Sequence, residues 1–167
     1  MGSLNFHAFM VNFSRSDPKW FHLFENTTAI IFSVDLCWYD VAEAYLEDFR
    51  KSKKTRLQNY LDYFESVVNS RWFPRSSIIL LLTNFSDFRD RLCGSPLKKY
   101  FADYSGGIDA IKAADHILGR FAELNRAHLD LYHHMTDPYG YGDAKFIFDT
   151  IKEIIITINV RCHLEGK

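Results

Sequence analysis

Two continuous apolar runs constrain the fold of this chain more than any other feature of its sequence. Ala29–Asp35 reads AIIFSVD, and Ser77–Asn84 reads SIILLLTN. A strand with one face in water alternates apolar and polar residues, whereas a strand covered on both faces is apolar throughout. Both runs therefore predict strands inside a parallel sheet. Two further apolar stretches, Leu4–Val11 and Leu129–Thr136, predict two more strands.

Helical patterns fill the intervals between these strands. Apolar residues recur at helical spacing in three segments, and the predicted stripes are Leu57, Leu61, Phe64 and Val68; Ile108, Ile111, Ile117, Phe121 and Leu124; and Phe148, Ile151, Ile155 and Ile158. The last segment, Asp143–Val160, has a β-branched run that would also suit a strand, but its periodicity continues for about four turns, which favours a helix. The alternating order of strands and helices predicts an α/β fold with right-handed crossovers and helices on both faces of the sheet.

Composition excludes several classes of protein. The 167 residues are 47% hydrophobic and 25% charged, which is typical of one globular domain. The net charge of −1 argues against a nucleic-acid partner. The three cysteines, Cys37, Cys93 and Cys162, lie far apart, so neither a disulfide framework nor a zinc site is indicated. Every apolar run is far shorter than the roughly 18 residues of a membrane span, so no transmembrane segment is expected.

Several segments resemble, in the same order, landmarks of the α subunits of heterotrimeric G proteins. Lys19–Glu25 followed by Thr28–Phe32 looks like K-W-I-H-C-F-E…T-A-I-I-F. Asn69–Phe73 followed by Ser77–Leu80 is similar to N-N-K-W-F…S-I-I-L. Later landmarks are matched at Ser95–Leu97, Asp103–Gly106, Phe121–Asn125 and Phe146–Asp149.

The resemblance, which runs from about Leu4 to about Arg161, implies a fold. Residues 1–167 are expected to form a single partial domain, equivalent to the C-terminal half of a Ras-like GTPase domain, with a three-layer α/β architecture and a mostly parallel sheet of about four strands. The first two strands of the family and its inserted helical domain have no counterpart. Since the family's first strand lies inside the sheet, either Leu4–Val11 and Ala29–Asp35 close up directly, or another chain fills the groove. A marginal fold or an incomplete gene product is the third alternative.

The phosphate-binding residues of the family are not matched. No G-x-x-x-x-G-K-[ST] occurs in the sequence, although this loop cradles the nucleotide phosphates. The segment that corresponds to the family's D-V-G-G-Q reads Met10-Val11-Asn12-Phe13-Ser14, which lacks the magnesium-linked aspartate and both glycines. GTP or GDP and Mg²⁺ are therefore implied as cofactors only by the resemblance. We expect no GTP hydrolysis by this chain alone, and no catalytic residue is assigned.

The guanine-reading motif N-K-x-D is altered. Ungapped alignment places residues 83–86 there, whereas a shift of one residue gives Asn84-Phe85-Ser86-Asp87, which keeps the asparagine and the aspartate. Thr136 matches the first residue of the family's T-C-A-T loop, but Pro138 has no N–H to offer a base. The guanine-binding candidates by resemblance are Asn84, Asp87 and Thr136. An ordinary polar turn between a strand and a helix is the simpler explanation of residues 84–87.

Partner-binding surfaces are implied as well. The positions that match the family's βγ-docking segment are Phe9, Lys19, Trp20, Leu23, Phe24 and Glu25. Trp72 and Phe73 match a loop that faces effectors, and the C-terminal helix is the element that a seven-helix receptor reads. Core packing competes with both surface roles, because Trp20 and Phe24 lie one helical turn apart and aromatic residues fill cores.

Three functions follow from these observations. The first is a G-protein α-like polypeptide of the cytoplasm, or of the inner face of the plasma membrane, that acts by binding partners such as a βγ dimer. The second is a working GTPase whose other half is not in this sequence, and the third is a remnant without activity. No metal site is assigned. The alternating residues His128, Asp130, Tyr132 and His134 fit a polar strand end better than a metal site.

Overall fold

The computed structural model describes residues 7–10, 22–25, 27–42, 54–137 and 141–164. Within these ranges the chain forms a three-stranded sheet and four α-helices. The strands are β1 (Ala29–Asp35), β2 (Ser77–Thr83) and β3 (Leu131–Thr136), and the helices are α1 (Arg56–Val68), α2 (Phe85–Leu92), α3 (Ala110–Leu124) and α4 (Tyr141–Leu164). The predicted α/β class is confirmed, and it agrees with a partial Ras-like fold.

The sheet has the order β1-β2-β3, and both pairings are parallel. The central strand β2 is buried from Ser77 to Leu82, as its apolar sequence predicts. Two of the predicted strands were slightly too long. The second strand ends before Asn84, which has a left-handed backbone with φ 61° and ψ 42°. The third begins at Leu131, after a turn at His128 with φ 53°. Residues 7–10 have no regular secondary structure, and the rest of the predicted strand Leu4–Val11 lies outside the described residues.

One face of the sheet carries the hydrophobic core. Phe32 of β1 contacts Phe64 of α1 edge to face, with ring centroids 5.3 Å apart, and Phe64 contacts Phe121 of α3 at 5.0 Å. Such aromatic pairs bury large areas and favour edge-to-face geometry. Leu80 and Leu82 of β2 join the same cluster and are fully buried. This packing holds α1 and α3 on one side of the sheet.

The opposite face is covered unevenly. Ile79 and Leu81 of β2 are buried there, whereas their neighbour on β1, Ile31, remains 46% exposed. Helix α4 lies along β3, where the ring of Phe146 is 5.5 Å from that of His134. Among the described residues, this face of the sheet is therefore covered at β2 but open at β1.

Two predicted helical stripes contain errors. Ile108 and Ile111, which flank the Asp109 cap at the amino end of α3, are both exposed. On α4, Phe148 is also exposed, whereas Ile158 is buried as predicted. Periodicity located these helices but did not determine which apolar residues the surrounding elements cover.

Candidate functional site

The carboxyl ends of the three parallel strands bring polar residues to one edge of the sheet. Asp35 ends β1 and Asn84 follows β2. Thr136 ends β3, and Asp137 follows it. In open α/β sheets, ligands bind in the crevice outside the carboxyl ends of the strands. This edge is therefore the first candidate site.

Asn84 has an unusual environment at this edge. Its backbone is left-handed, a conformation that asparagine tolerates better than most residues. Its side chain does not cap α2, and its Oδ1 is buried without a hydrogen-bond partner among the described residues. Its carbonyl oxygen accepts from the Phe88 amide at 2.9 Å and from the Cys37 thiol at 3.8 Å. The backbone of Asn84 is thus held on two sides while its amide oxygen is left unpaired.

Asp137 joins the loop after β3 to the loop after β2. One carboxylate oxygen accepts from the Ser86 amide at 2.8 Å, and the other accepts from the Ser86 hydroxyl at 2.7 Å. The Ser86 amide belongs to the first turn of α2, where backbone N–H groups lack partners within the helix. Asp137 therefore caps α2 from another loop, a role that Asn84 does not fill.

The structure brings the predicted guanine-contact residues to the same edge but in different settings. Thr136 is buried beside Thr83, its partner in the sheet register. Asp87 is exposed on the first turn of α2. Phe85, the ring that replaces the motif lysine, packs against the core. Sequence reasoning did not single out Asp137 as an acceptor, although an acidic residue directly after a predicted strand is the signal that could have found it.

Cys37 lies at this edge as a buried thiol. Burial, followed by repulsion from Asp35, raises the pKa of Cys37 to about 11. The Asp35 carboxylate also accepts from the Cys37 amide at 2.8 Å. A thiol that stays protonated is a poor nucleophile, because the thiolate is the reactive form. Cys37 is therefore a packing residue of the edge.

A second candidate site is an aromatic patch formed by Phe9, Leu23, Phe24 and Trp72. The rings of Phe9 and Phe24 are 5.9 Å apart, and the same distance separates Trp72 from His22. Phe24 and Trp72 both pack against the small buried cluster of Val67 and Phe73. Phe24 was predicted to lie on the βγ-docking surface and Trp72 on the effector-facing surface, but the two residues share one surface.

Two members of the patch are strongly exposed, whereas Phe24 and Trp72 are half-buried. Phe9 is 75% exposed and Leu23 is 68% exposed, and the Arg71 guanidinium lies over the Trp72 ring at 4.6 Å. Phe73, in contrast, is buried, so it supports the patch from beneath. Glu25 is exposed beside Phe24. Two predicted docking residues, Lys19 and Trp20, lie outside the described residues.

No group of metal-ligating side chains occurs in the described ranges. Of the alternating residues before and within β3, His134 packs on Phe146, and Asp130 accepts from Arg161 at 2.9 Å. None of the helices, as far as the structure describes them, is both long and apolar enough to cross a membrane.

Comparison with known proteins shows which family this chain resembles. The family model described as G-protein alpha subunit matches residues 1–155. The guanine nucleotide-binding protein alpha-3 subunit of Neurospora crassa is 47% identical over 157 residues, which are 93% of this chain and 43% of that protein. The alpha-2 subunit of Kluyveromyces lactis is 46% identical over 92% of this chain and 27% of its own length. The chain spans less than half the length of these curated relatives.

Proposed function

Because this chain belongs to the G-protein α subunit family, we propose that it acts by binding partner proteins and does not hydrolyse GTP on its own. The aromatic patch carries this proposal. Exposed aromatic clusters mark protein interaction sites, and a few large side chains supply most of the binding energy at such sites. Phe9 and Leu23 are large and strongly exposed. The Phe9 ring lies against Phe24, and Phe24 shares a buried support with Trp72.

The partner that we propose is a G-protein βγ dimer. The resemblance assigns the positions of Phe9, Leu23 and Phe24 to βγ docking, and the patch adds Trp72 from the effector-facing loop. We extend the proposal to the C-terminal helix α4 as a receptor contact, which the exposed apolar residues Ile156 and Val160 support. The location that suits both partners is the cytoplasmic side of the plasma membrane.

Nucleotide chemistry supports the second half of the proposal. Charge-assisted bonds to the phosphates and to Mg²⁺ supply much of the binding and catalysis in this reaction class. These 167 residues contain no phosphate-binding loop, and Met10 stands where the family has its magnesium-linked aspartate. What remains to propose is a weak contact with the guanine base at the carboxyl edge of the sheet, with Asn84, Asp87 and Thr136 as candidates.

The partner proposal is tested by alanine substitutions in the patch. We expect Phe9→Ala and Leu23→Ala each to weaken binding to a purified βγ dimer about tenfold, because truncation of a large contact residue costs more than about 1 kcal/mol. Surface plasmon resonance with immobilised βγ dimer measures the change.

The matched control is Ile111→Ala, which removes an aliphatic side chain that is 62% exposed on α3, away from the patch. This variant is expected to bind like the parent. Equal affinity of all three variants would place any βγ contact elsewhere, and a parent chain that does not bind the dimer would sink the proposal. Circular dichroism confirms that each variant is folded.

A further inference from the structure

Strand β1 presents one row of backbone groups away from the rest of the sheet. In the part of the chain that the structure describes, β1 pairs only with β2. The Ser77 amide donates to the Thr28 carbonyl at 3.0 Å, and Ala29 lies opposite Ser77 in the parallel register. The alternating pattern of a parallel ladder then directs the backbone groups of residues 30, 32 and 34 to β2. Residues 29, 31, 33 and 35 therefore direct their N–H and C=O groups outward.

The side chains of β1 leave this edge accessible. Ile31 is 46% exposed and Ser33 is exposed, whereas Phe32 and Val34 point into the core on the other face. Natural edge strands are often protected by lysine or proline. Ala29–Asp35 contains neither, and its one charged residue is at the last position. The strand is therefore suited to pairing with another strand.

We propose that two copies of this chain associate through β1, with the two strands antiparallel and Phe32 on the twofold axis. In this register Ile31 lies opposite Ser33 of the second copy, and Ala29 lies opposite Asp35 of the second copy. All of these residues direct their backbone groups outward, so each opposed pair exchanges both of its N–H···O bonds. The dimer is closed, because both copies use the same edge.

Charge and side-chain pairing favour this arrangement. Parallel pairing of two β1 strands in register would place the two Asp35 carboxylates side by side, and like charges that face each other are destabilising. The antiparallel register separates them by roughly 20 Å, the length of about six strand residues. On the exposed face the two Ile31 side chains become diagonal neighbours and cover each other's apolar surface. The β1 edge is thus complementary to a second copy of itself.

Sedimentation velocity of the full 167-residue chain tests the association. We expect the 19.6 kDa chain to form a species of twice that mass as its concentration rises through the micromolar range. Ile31→Lys places a charge on the edge and should weaken dimerisation about tenfold or more. The matched control is Ile111→Lys, the same substitution at a 62% exposed position of α3, which should dimerise like the parent. A monomeric parent, or equal dimerisation of the two variants, would overturn the proposal.

A mixture of two variants tests the register. Ser33→Glu alone should also weaken dimerisation, because the two introduced carboxylates are diagonal neighbours. When this variant is mixed with Ile31→Lys, the introduced carboxylate lies opposite the introduced ammonium group. The mixed dimer should therefore recover most of the lost affinity. A mixture that stays monomeric would rule out the antiparallel register centred on Phe32.

Hydrogen exchange of the parent chain distinguishes a second copy from other occupants of the edge and needs no substitution. The Ile31 and Ser33 amides should exchange slowly at high protein concentration and rapidly at low concentration. Slow exchange at every concentration would show that another segment of the same chain covers the edge, which would contradict the proposal. The inference is independent of βγ binding, because it uses no residue of the aromatic patch.

Discussion

At the scale of single residues, burial determines what the side chains at the carboxyl edge can do. Cys37 is almost fully buried, and burial is the first cause that raises its pKa to about 11. Tyr39, which is fully buried and donates to the Ser95 carbonyl, has its pKa raised to about 12, again mainly by burial. Both residues therefore favour their protonated forms in the folded state more than in the unfolded state.

The shift at Cys37 predicts a pH dependence of stability. A group whose pKa is raised on folding contributes fully below its unfolded value, here 9.0, and loses that contribution as the pH rises through about 11. As the pH rises from 9.0 to about 11, the free energy of unfolding should therefore fall less for a Cys37→Ala variant than for the parent. The expected difference is up to about 2–3 kcal/mol. Urea unfolding across this range measures the difference in slope.

The control for this prediction is Cys93→Ala, because Cys93 is exposed in the folded state. Its pH profile should follow that of the parent. Tyr39 is present in all three proteins, so its own titration cancels in the comparison. Parallel profiles for Cys37→Ala and the parent would show that Cys37 contributes nothing to the alkaline loss of stability.

At the scale of elements, the helices begin in two different ways. Helix α1 has a local capping box, in which the Thr55 hydroxyl accepts from the Gln58 amide at 3.3 Å and the Gln58 side chain accepts from the Thr55 amide at 2.8 Å. Helix α2 is capped by Asp137, which is 51 residues away from Ser86. The first cap depends on four consecutive residues, whereas the second forms only when the chain folds and brings Asp137 to Ser86.

The local cap of α1 predicts a measurable contribution to stability. Thr55→Ala removes the acceptor of the Gln58 amide and should lower the free energy of unfolding by about 0.5–2 kcal/mol. Ser66→Ala is the matched control on the same helix, because Ser66 is exposed and its hydroxyl donates to a carbonyl of the preceding turn. This control should be neutral or slightly stabilising, since alanine favours helices. If urea unfolding shows equal stabilities for both variants, the capping box does not stabilise α1.

At the scale of the whole molecule, one face of the sheet is packed and the other is partly open. Phe32, Phe64 and Phe121 close the first face, whereas Ile31 of β1 is 46% exposed on the second. Within the described ranges β1 pairs only with β2, so its outer edge carries no strand. Within the described residues, the sheet thus has one partly open face and one open edge, both at β1.

The absence of a phosphate-binding motif from these 167 residues predicts the behaviour of the polypeptide toward nucleotides. A fluorescent GTP analogue at micromolar concentration should show no saturable, magnesium-dependent binding, because base contacts alone leave the affinity weak. A full-length G-protein α subunit serves as the positive control in the same fluorescence titration. Saturation by this chain that depends on Mg²⁺ would contradict the prediction and restore the possibility of hydrolysis.

Much of the fold was predictable because its signals are local. The continuous runs at Ala29–Asp35 and Ser77–Asn84 predicted parallel strands that are buried on both faces. Both strands formed and β2 is buried as predicted, but β1 lies at the edge of the described sheet, with Ile31 and Ser33 exposed. Helical periodicity located α1, α3 and α4. It failed at Ile111 and Phe148, because the exposure of a side chain depends on which other elements lie against the helix.

The candidate sites were predictable only in part. The resemblance to family motifs selected Asn84 and Thr136, which both lie at the carboxyl edge of the sheet. It did not select Asp137, because this acceptor follows β3 whereas the helix that it caps follows β2. The docking and effector residues were predicted as separate surfaces, yet Phe24 and Trp72 pack on the same buried cluster. Their proximity depends on long-range packing, which no spacing along the chain encodes.

The sequence by itself determined the α/β class, the parallel strands β1 and β2, the family and the absence of a phosphate-binding motif from these 167 residues, because each depends on residues that are close together along the chain. Only the tertiary structure decided that Asp137 caps α2, that Asn84 keeps an unpaired oxygen, and that Phe9, Phe24 and Trp72 form one patch. The physical reason is that hydrogen bonds and packing contacts between distant segments form only after the strands and helices have been assembled into a sheet with a core.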